Sequence, residues 1–185
     1  MSKPDIDRST GPAFTHGSWV EVYIDTVKRG DREYKYARIV ESGGRPGVAI
    51  LPLRTDDGVV TIGLVQVWRI PLARYCWEIP RGFGESSDPA DDAVRELSEE
   101  VGVMVSPEQL IPLGDVLPNS GLLAGEVRVF AVHVRTKEIS SPHDDEITAL
   151  AWIPVDEVLA RIHAGDINDA FTMVAVLRAR LSGLL

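Results

Sequence analysis

Apolar and polar residues alternate along the first half of the chain with the period of two that is typical of half-buried β-strands. The segment 19–27 alternates around apolar Val20 and Val22. Residues 29–31 then supply a turn, and 32–40 has the pattern of a returning strand. Because an isolated hairpin is rarely stable in water, we expect this one to pack on the rest of the chain or on a second copy of it.

The same periodicities predict the remaining elements. Strands are predicted at 47–53, 59–68, 77–79, 113–117, 126–134 and 147–155, the first two joined by a turn at Asp57-Gly58. Helices are predicted at 88–101, 155–165 and 167–181. Strands on both sides of a central helix, with further helices at the C-terminal end, predict an α/β fold in which a mixed sheet lies between helices.

Composition changes near residue 18. Residues 1–17 hold proline and glycine among polar residues, so we expect a loose tail there. The chain has 185 residues, 44% of them hydrophobic, which suits one domain. We therefore predict a single domain over 18–185, with a hairpin at 18–45 that is a candidate dimerisation element and a core at 46–185.

Net charge and cysteine content limit which kinds of binding partner and which cellular compartment are expected. The net charge is −9 and no lysine- or arginine-rich run is present, which argues against a nucleic-acid partner. A single cysteine, Cys76, excludes an intramolecular disulfide and is interpreted as a thiol of the core. There is no long apolar run and no signal-peptide pattern, so we expect a cytoplasmic protein without membrane contact. The negative net charge is compatible with a small-molecule partner, a phosphate ester whose charge is shielded by a metal ion.

The predicted helix at 88–101 carries an unusual acidic face. Asp88 suits the N-cap, and Gly102 can close the helix. Glu96, Glu99 and Glu100 stand at i, i+3 and i+4, where like charges repel by a few tenths of a kcal/mol per pair (roughly 0.2–0.5). One interpretation is a solvated acidic surface. The other is a site for a hard divalent cation, Mg²⁺ or Mn²⁺, which takes oxygen ligands.

The residues around these acids resemble a known motif. RELSEEVG at 95–102, followed by Val103, is similar to the C-terminal half of the Nudix box, G-x5-E-x7-R-E-U-x-E-E-x-G-U, where U is aliphatic. The N-terminal half departs from the pattern, because Arg95 lies thirteen positions after Gly82 rather than fourteen. Ser87 therefore stands where the motif has its loop glutamate. Glu85 and Asp88 are two alternatives for that acid.

The resemblance implies a Nudix-like α/β/α sandwich and a set of metal ligands. The expected ligands are the side chains of Glu96, Glu99 and Glu100 and the backbone carbonyl of Arg81. Glu99 is also expected to take part in catalysis, and Arg95 to orient the carboxylates. The alternative for Arg95 is an ordinary i,i+4 surface ion pair.

A general base is expected outside the box. The acidic loop before the strand at 147–155 resembles the corresponding segment of ADP-ribose pyrophosphatases, and Glu146 is the first choice ahead of Asp144 and Asp145. A solvated acidic loop is the alternative interpretation.

Substrate contacts rest on further similarities to ADP-ribose pyrophosphatases. Pro118 and Glu126 match a Pro-Gly-x-x-x-Glu loop, and 64–72 is similar to L-V-R-Q-Y-R-x-P-L. Arg69 and Trp68 are predicted substrate contacts, although Arg69 also fits a surface position at a strand end. Gln66 stands where the related sequences have arginine.

The resemblance implies Mg²⁺-dependent hydrolysis of a nucleoside diphosphate sugar, with ADP-ribose, cleaved to AMP and ribose 5-phosphate, as the first choice. GDP-mannose or another nucleoside diphosphate derivative is an alternative substrate. The altered box loop leaves a second hypothesis open, a catalytically weakened Nudix-like domain that binds or senses a nucleotide sugar.

Overall fold

The computed structural model describes residues 3–135 and 146–185. In this part of the chain there are two sheets and three α-helices. The strands are β1 Asp5–Asp7, β2 Phe14–His16, β3 Val20–Arg29, β4 Arg32–Glu41, β5 Gly47–Asp56, β6 Val59–Arg69, β7 Arg74–Glu78, β8 Arg81–Gly82, β9 Ile111–Val116, β10 Val127–His133 and β11 Ile147–Pro154. The helices are α1 Pro89–Val101, α2 Val155–Ala164 and α3 Ala170–Leu181.

The N-terminal sheet is built on the predicted hairpin. Strands β3 and β4 pair antiparallel from Val20 opposite Glu41 to Arg29 opposite Arg32. Gly30, with φ of 60°, lies in the two-residue connection, where a positive φ matches the twist of the strands. The hairpin extension is therefore confirmed.

The segment predicted as a loose tail carries two short strands instead. Both β1 and β2 pair antiparallel with β3. The physical reason is Asp25, which is 2% exposed and draws the segment onto the hairpin. Its carboxylate accepts hydrogen bonds from Arg8 Nη1 at 2.8 Å, from the Ser9 amide at 3.0 Å and from Arg38 Nε at 2.8 Å. Hydrogen bonds from Arg38, Ser9 and Arg8 lower the pKa of Asp25 to about 2 even though its burial raises it.

The second sheet has seven strands in the order β11-β6-β5-β10-β9, with β7 pairing with β6 and β8 with β5. Strands β5 and β10 run parallel, whereas the other pairs are antiparallel. The sheet is therefore mixed, as predicted. Its central strand β5 is buried along most of its length, which explains why its sequence is apolar without alternation.

Helices cover both faces of this sheet. On one face, Leu97 and Val101 of α1 pack with Val48 and Ile50 of β5. On the other face, α3 packs against the intervening β5 residues, and α2 packs against β6 and β11. The core cluster on this face includes Ala49, Leu51, Leu53, Val158, Ala175, Val176 and Ala179. Successive residues of β5 thus serve opposite layers, and the predicted α/β/α sandwich is confirmed.

Some element ends and burial states differ from the predictions. Helix α3 begins at Ala170 rather than 167, because the Asp169 carboxylate caps the helix by accepting from the Thr172 amide at 2.8 Å. Cys76, expected in the core, is only half-buried on β7. Within residues 3–135 and 146–185, no helix is long and apolar enough to cross a membrane.

Candidate active site

Helix α1 positions the acidic face against the sheet. Its N-cap Asp88 accepts from the Ala90 amide at 2.9 Å, and Gly102 ends it with φ of 70°. Leu97 and Val101 lie in the core, so the neighbouring Glu96 and Glu100 are drawn down to 8% and 7% exposure. Two acids of the predicted set are therefore buried, contrary to the solvated-surface interpretation.

Arg95 lies at the centre of the acidic cluster. Its guanidinium contacts Glu99 Oε2 at 2.9 Å through Nη1 and Glu96 Oε1 at 2.8 Å through Nη2. Nη2 also donates to the Phe83 carbonyl at 3.3 Å and lies 3.8 Å from Glu85 Oε1. Arg95 therefore joins the helix to the preceding loop and makes more contacts than a single i,i+4 surface ion pair.

Strand β8 passes very close to the helix at Gly82. A Cβ atom on Gly82 would lie 1.9 Å from Oε1 of Glu96. The adjacent Arg81 amide donates to Glu100 Oε2 at 3.2 Å. The backbone of β8 therefore lies directly against the two buried carboxylates, and the Arg81 carbonyl belongs to the same stretch.

The altered box loop is closed by Asp92, a residue of α1 that is 2% exposed. Its carboxylate accepts hydrogen bonds from the amides of Glu85 and Ser86 at 3.1 Å and from the Ser86 hydroxyl at 3.1 Å. Of the two alternatives for the loop acid, Glu85 reaches Arg95, whereas Asp88 is occupied in capping the helix. Ser87 is exposed.

The electrostatics of the cluster favour an added positive charge. Burial raises the pKa of Glu96, and the opposing effect of Arg95 does not cancel it, while Glu99 and Glu85 raise it further. One guanidinium is therefore insufficient compensation for the acids around it. The donors are hard carboxylate oxygens, which fit Mg²⁺ or Mn²⁺.

The predicted ligands share this region without converging on one point. Within residues 3–135 and 146–185, no three His, Cys, Asp or Glu side chains are grouped to hold one metal ion. The reason is that Glu96 and Glu99 both face Arg95, and Glu100 faces the Arg81 amide. Joint binding of a cation requires Glu96 and Glu99 to exchange their contacts with Arg95 for the ion.

A cleft of about 500 Å³ opens beside this cluster and unites most of the predicted site residues. Its lining includes Arg69, Arg81, Glu85, Arg95, Glu96, Glu99, Glu100, Pro118, Glu126 and Glu146. Trp68 is not part of the lining, because it alternates on β6 with Val67 and Arg69, which line the cleft; its ring packs edge-on against Tyr75 with centroids 4.9 Å apart. Trp19 lines the cleft instead and contacts Phe83, with ring centroids 5.7 Å apart.

Glu146 precedes β11 and is exposed on the cleft wall. Its alternatives Asp144 and Asp145 lie outside the described residues. Glu126, directly before β10, forms an ion pair with Arg128 at 2.9 Å. The chain thus brings the predicted base and the predicted substrate loop to the same cavity as the acidic helix, although they are distant in sequence.

A buried glutamate before the box was not singled out by the sequence patterns. Glu78 is 1% exposed and accepts two hydrogen bonds from Arg69, through Nε and Nη2, each at 2.8 Å. Arg81 Nε donates to the same carboxylate at 2.7 Å. Burial raises the pKa of Glu78, but the two arginines outweigh it, and the net result is a lowered pKa. The sequence feature that could have indicated a buried acid is the position of Glu78 between two apolar residues, Trp77 and Ile79.

The loop that carries Pro118 is fixed by the N-terminal sheet. The Ile39 amide donates to the Leu122 carbonyl at 2.9 Å, and the Ala124 amide donates back to the Ile39 carbonyl at 2.8 Å. The Tyr36 hydroxyl donates to the Gly121 carbonyl. The hairpin therefore supports one wall of the cleft.

Comparison with known proteins identifies the class. The NUDIX domain family model matches residues 43–172, which run from before β5 to the first turn of α3 and include the whole acidic helix. The chain belongs to the Nudix family and is a Nudix hydrolase. This family generally uses a divalent metal such as Mg²⁺.

Comparison with individual proteins shows which members of the family the chain is similar to. The ADP-ribose pyrophosphatase of Mycobacterium tuberculosis (strain ATCC 25618 / H37Rv) is 27% identical over 182 residues, covering 96% of this chain and 84% of that protein. The ADP-sugar pyrophosphatase of Mus musculus is 27% identical over 180 residues, covering 89% and 81% respectively. Nudix hydrolase 14, chloroplastic, of Arabidopsis thaliana is 33% identical over 79 residues, covering 41% and 26%. The resemblance to ADP-ribose pyrophosphatases is thus confirmed at the level of the sequence.

Proposed function

We propose that this Nudix hydrolase cleaves the diphosphate of a nucleoside diphosphate sugar with Mg²⁺ or Mn²⁺, and that ADP-ribose is its substrate. The observation that carries the proposal is the cleft itself, where the acidic face of α1 meets Arg69, Pro118, Glu126 and the wall at Glu146. Relatives named ADP-ribose pyrophosphatase and ADP-sugar pyrophosphatase, alignable over most of the chain, support the choice of substrate.

In the proposed reaction, water attacks one phosphorus of the diphosphate and the bond from that phosphorus to the bridging oxygen breaks. The products are two phosphomonoesters, AMP and ribose 5-phosphate. Glu96, Glu99 and Glu100, with the Arg81 carbonyl, would hold the divalent cation. The cation supplies charge neutralisation and lowers the pKa of the attacking water.

The chain's own residues supply the remaining steps. Glu146 is exposed on the cleft wall and accepts the proton of the attacking water. Arg95 holds Glu96 and Glu99 on the helix surface until the cation is bound. Pro118 and Glu126 also line the cleft, where they would orient the sugar end of the substrate.

A substrate panel tests this proposal. Purified protein with Mg²⁺ is incubated with ADP-ribose, GDP-mannose, UDP-glucose and diadenosine polyphosphates, and the products are read as phosphate after phosphatase coupling. We expect ADP-ribose to be cleaved fastest, with no reaction in excess EDTA. Preference for GDP-mannose would move the assignment to that alternative, and an untouched panel would refute hydrolysis of this substrate class. Calorimetry that shows binding of ADP-ribose without product would favour the sensing role.

A further inference from the structure

The charges lining the cleft are separated into two regions. One region is acidic, because the three carboxylates of Glu96, Glu99 and Glu100 outnumber the one positive charge of Arg95. The other region is basic, because two arginines, Arg69 and Arg81, contact the single buried carboxylate of Glu78. The two regions touch, since the Arg81 amide donates to Glu100 at 3.2 Å.

The two arginines of the basic region differ in what they have left to donate. Arg69 uses both Nε and Nη2 on Glu78, so the forked edge of its guanidinium is occupied. Arg81 uses Nε alone. In the part of the chain that the structure describes, no hydrogen bond is recorded for its two terminal nitrogens, which form the edge suited to bidentate contact with a phosphate.

The Arg81 side chain is held in place on two sides. Glu78 fixes Nε at 2.7 Å, and the ring of Phe171 on α3 lies under the guanidinium with its centroid 5.2 Å from Cζ. Phe171 and Arg81 both line the cleft. A preorganised guanidinium loses little conformational entropy when it binds an anion.

We propose that the Arg81 guanidinium binds a phosphate of the substrate's diphosphate through its two terminal nitrogens, and that it is a substrate-binding residue in addition to the expected role of its backbone carbonyl. This inference rests on the proposed function for the identity of the substrate. The side-chain role separates from the backbone role, because substitution of Arg81 removes the guanidinium and leaves the carbonyl.

Binding of a non-hydrolysable diphosphate tests the proposal independently of turnover. Methylenediphosphonate is titrated with Mg²⁺ into wild type, Arg81→Gln, Arg81→Lys and Arg74→Gln by calorimetry. Glutamine keeps a donor for Glu78 but removes the charged fork, so we expect Kd to rise at least about tenfold. Lysine keeps the charge without the fork, and we expect its Kd to rise about threefold or more.

Arg74→Gln is the matched control, because Arg74 lies on β7 outside the cleft lining and donates to Asn168. We expect the Kd of Arg74→Gln to stay within about twofold of that of wild type, because Arg74 is a screened surface charge.

Kinetics with the substrate that wild type cleaves give the second readout. We expect Arg81→Gln to raise KM by a factor similar to its rise in Kd, with kcat less affected, as for a contact made in the ground state and the transition state alike. A melting curve checks that each variant is folded. If Arg81→Gln does not fold, Arg81→Lys decides alone.

Three outcomes would overturn the proposal: no binding of the probe by wild type, equal binding by wild type and Arg81→Gln, or full retention of affinity in Arg81→Lys. Failure of the proposed function is distinguishable from these. Wild type that binds methylenediphosphonate but cleaves nothing in the panel refutes the activity and leaves the Arg81 contact standing.

Discussion

At the scale of single residues, the site depends on how each buried acid is compensated. Glu78 is fully enclosed and lies between two guanidiniums, which keep it charged. Glu96 is nearly as buried, and among the described residues its one ion-pair partner is Arg95, which also faces Glu99 and Glu85. A buried charge without sufficient partners is costly, so the acidic face of α1 is the part of the cleft with most to gain from a bound cation.

Glu100→Gln tests the proposed ligand role. Glutamine keeps the size and can still accept from the Arg81 amide, so the fold should survive, while the loss of a carboxylate ligand should lower kcat by at least about 100-fold. Activity is followed with the best substrate of the panel at saturating Mg²⁺, and circular dichroism checks the fold. Asp91→Asn, a change at an exposed residue of the same helix, is the control. Wild-type turnover in Glu100→Gln would contradict the assignment.

Asp25 gives a pH dependence with a defined sign. Its pKa is lowered to about 2 in the folded state, so its ion pairs stabilise the fold above the ordinary pKa of aspartate and are lost as the pH falls through about 2. We expect Asp25→Asn to lower the free energy of unfolding by about 1–2 kcal/mol at neutral pH, discounted because solvent screens the exposed Arg8.

The measurement is urea denaturation between pH 7 and the acid limit of folding. The difference between wild type and Asp25→Asn should shrink below about pH 4 as the carboxylate protonates. Asp31→Asn, in the exposed turn of the same hairpin, should show no comparable difference. A difference that stays constant down to pH 2 would disprove this explanation.

At the scale of elements, α1 and β8 form one unit. The helix presents Glu96 and Glu100, and β8 approaches them so closely that a Cβ atom at position 82 would overlap the Glu96 carboxylate in its present position. The Asp92 carboxylate then closes the intervening loop by accepting hydrogen bonds from the amides of Glu85 and Ser86. The shortened box loop is therefore compatible with an ordered connection, because its backbone donors are satisfied by the helix that follows.

Gly82→Ala should uncouple activity from stability. The added Cβ would overlap the Glu96 carboxylate, and because that group is the end of a flexible side chain, it can turn away at modest cost to folding. We expect kcat/KM to fall at least about tenfold with a loss of roughly 1 kcal/mol or less in the free energy of unfolding. Gly11→Ala, where a Cβ meets nothing within 4 Å, is the control. Unchanged kinetics in Gly82→Ala would show that the position of Glu96 does not matter for turnover.

At the scale of the whole molecule, the N-terminal sheet is packed on the catalytic core through the loop at 117–126 and leaves apolar side chains exposed. Phe14 is 59% and Ile24 40% exposed, and the strand register places both on one face. We propose that this face belongs to a homodimer interface. The same sheet supports the Pro118 loop through Ile39, so dimerisation would also stabilise one wall of the cleft.

Light scattering after size exclusion tests the dimer. We expect wild type at a mass of about twice 20.3 kDa and Ile24→Lys at the monomer mass, because a buried lysine opposes the interface. Val59→Lys is the matched control, since Val59 is a 50% exposed strand residue of the other sheet. A wild type that remains monomeric at tens of micromolar would rule out this interface.

The sequence by itself determined the layers and the acidic helix. Periodicity is a local property, so the strands, the hairpin and the caps at Asp88 and Gly102 could be predicted from neighbouring residues. The carboxylates of 96, 99 and 100 share one face because helical spacing requires it. The Nudix box could be recognised in the sequence because it, too, is a local pattern of neighbouring residues.

Only the tertiary structure decided which distant groups meet. It brings Glu146, Glu126 and Arg69 to the acidic helix, and it selects Glu85 over Asp88 beside Arg95 because Asp88 is used as a cap. It also turns the expected tail into strands through Asp25. These outcomes depend on hydrogen bonds and ion pairs between residues far apart in sequence, and a local pattern of apolar and polar positions carries no information about such partners.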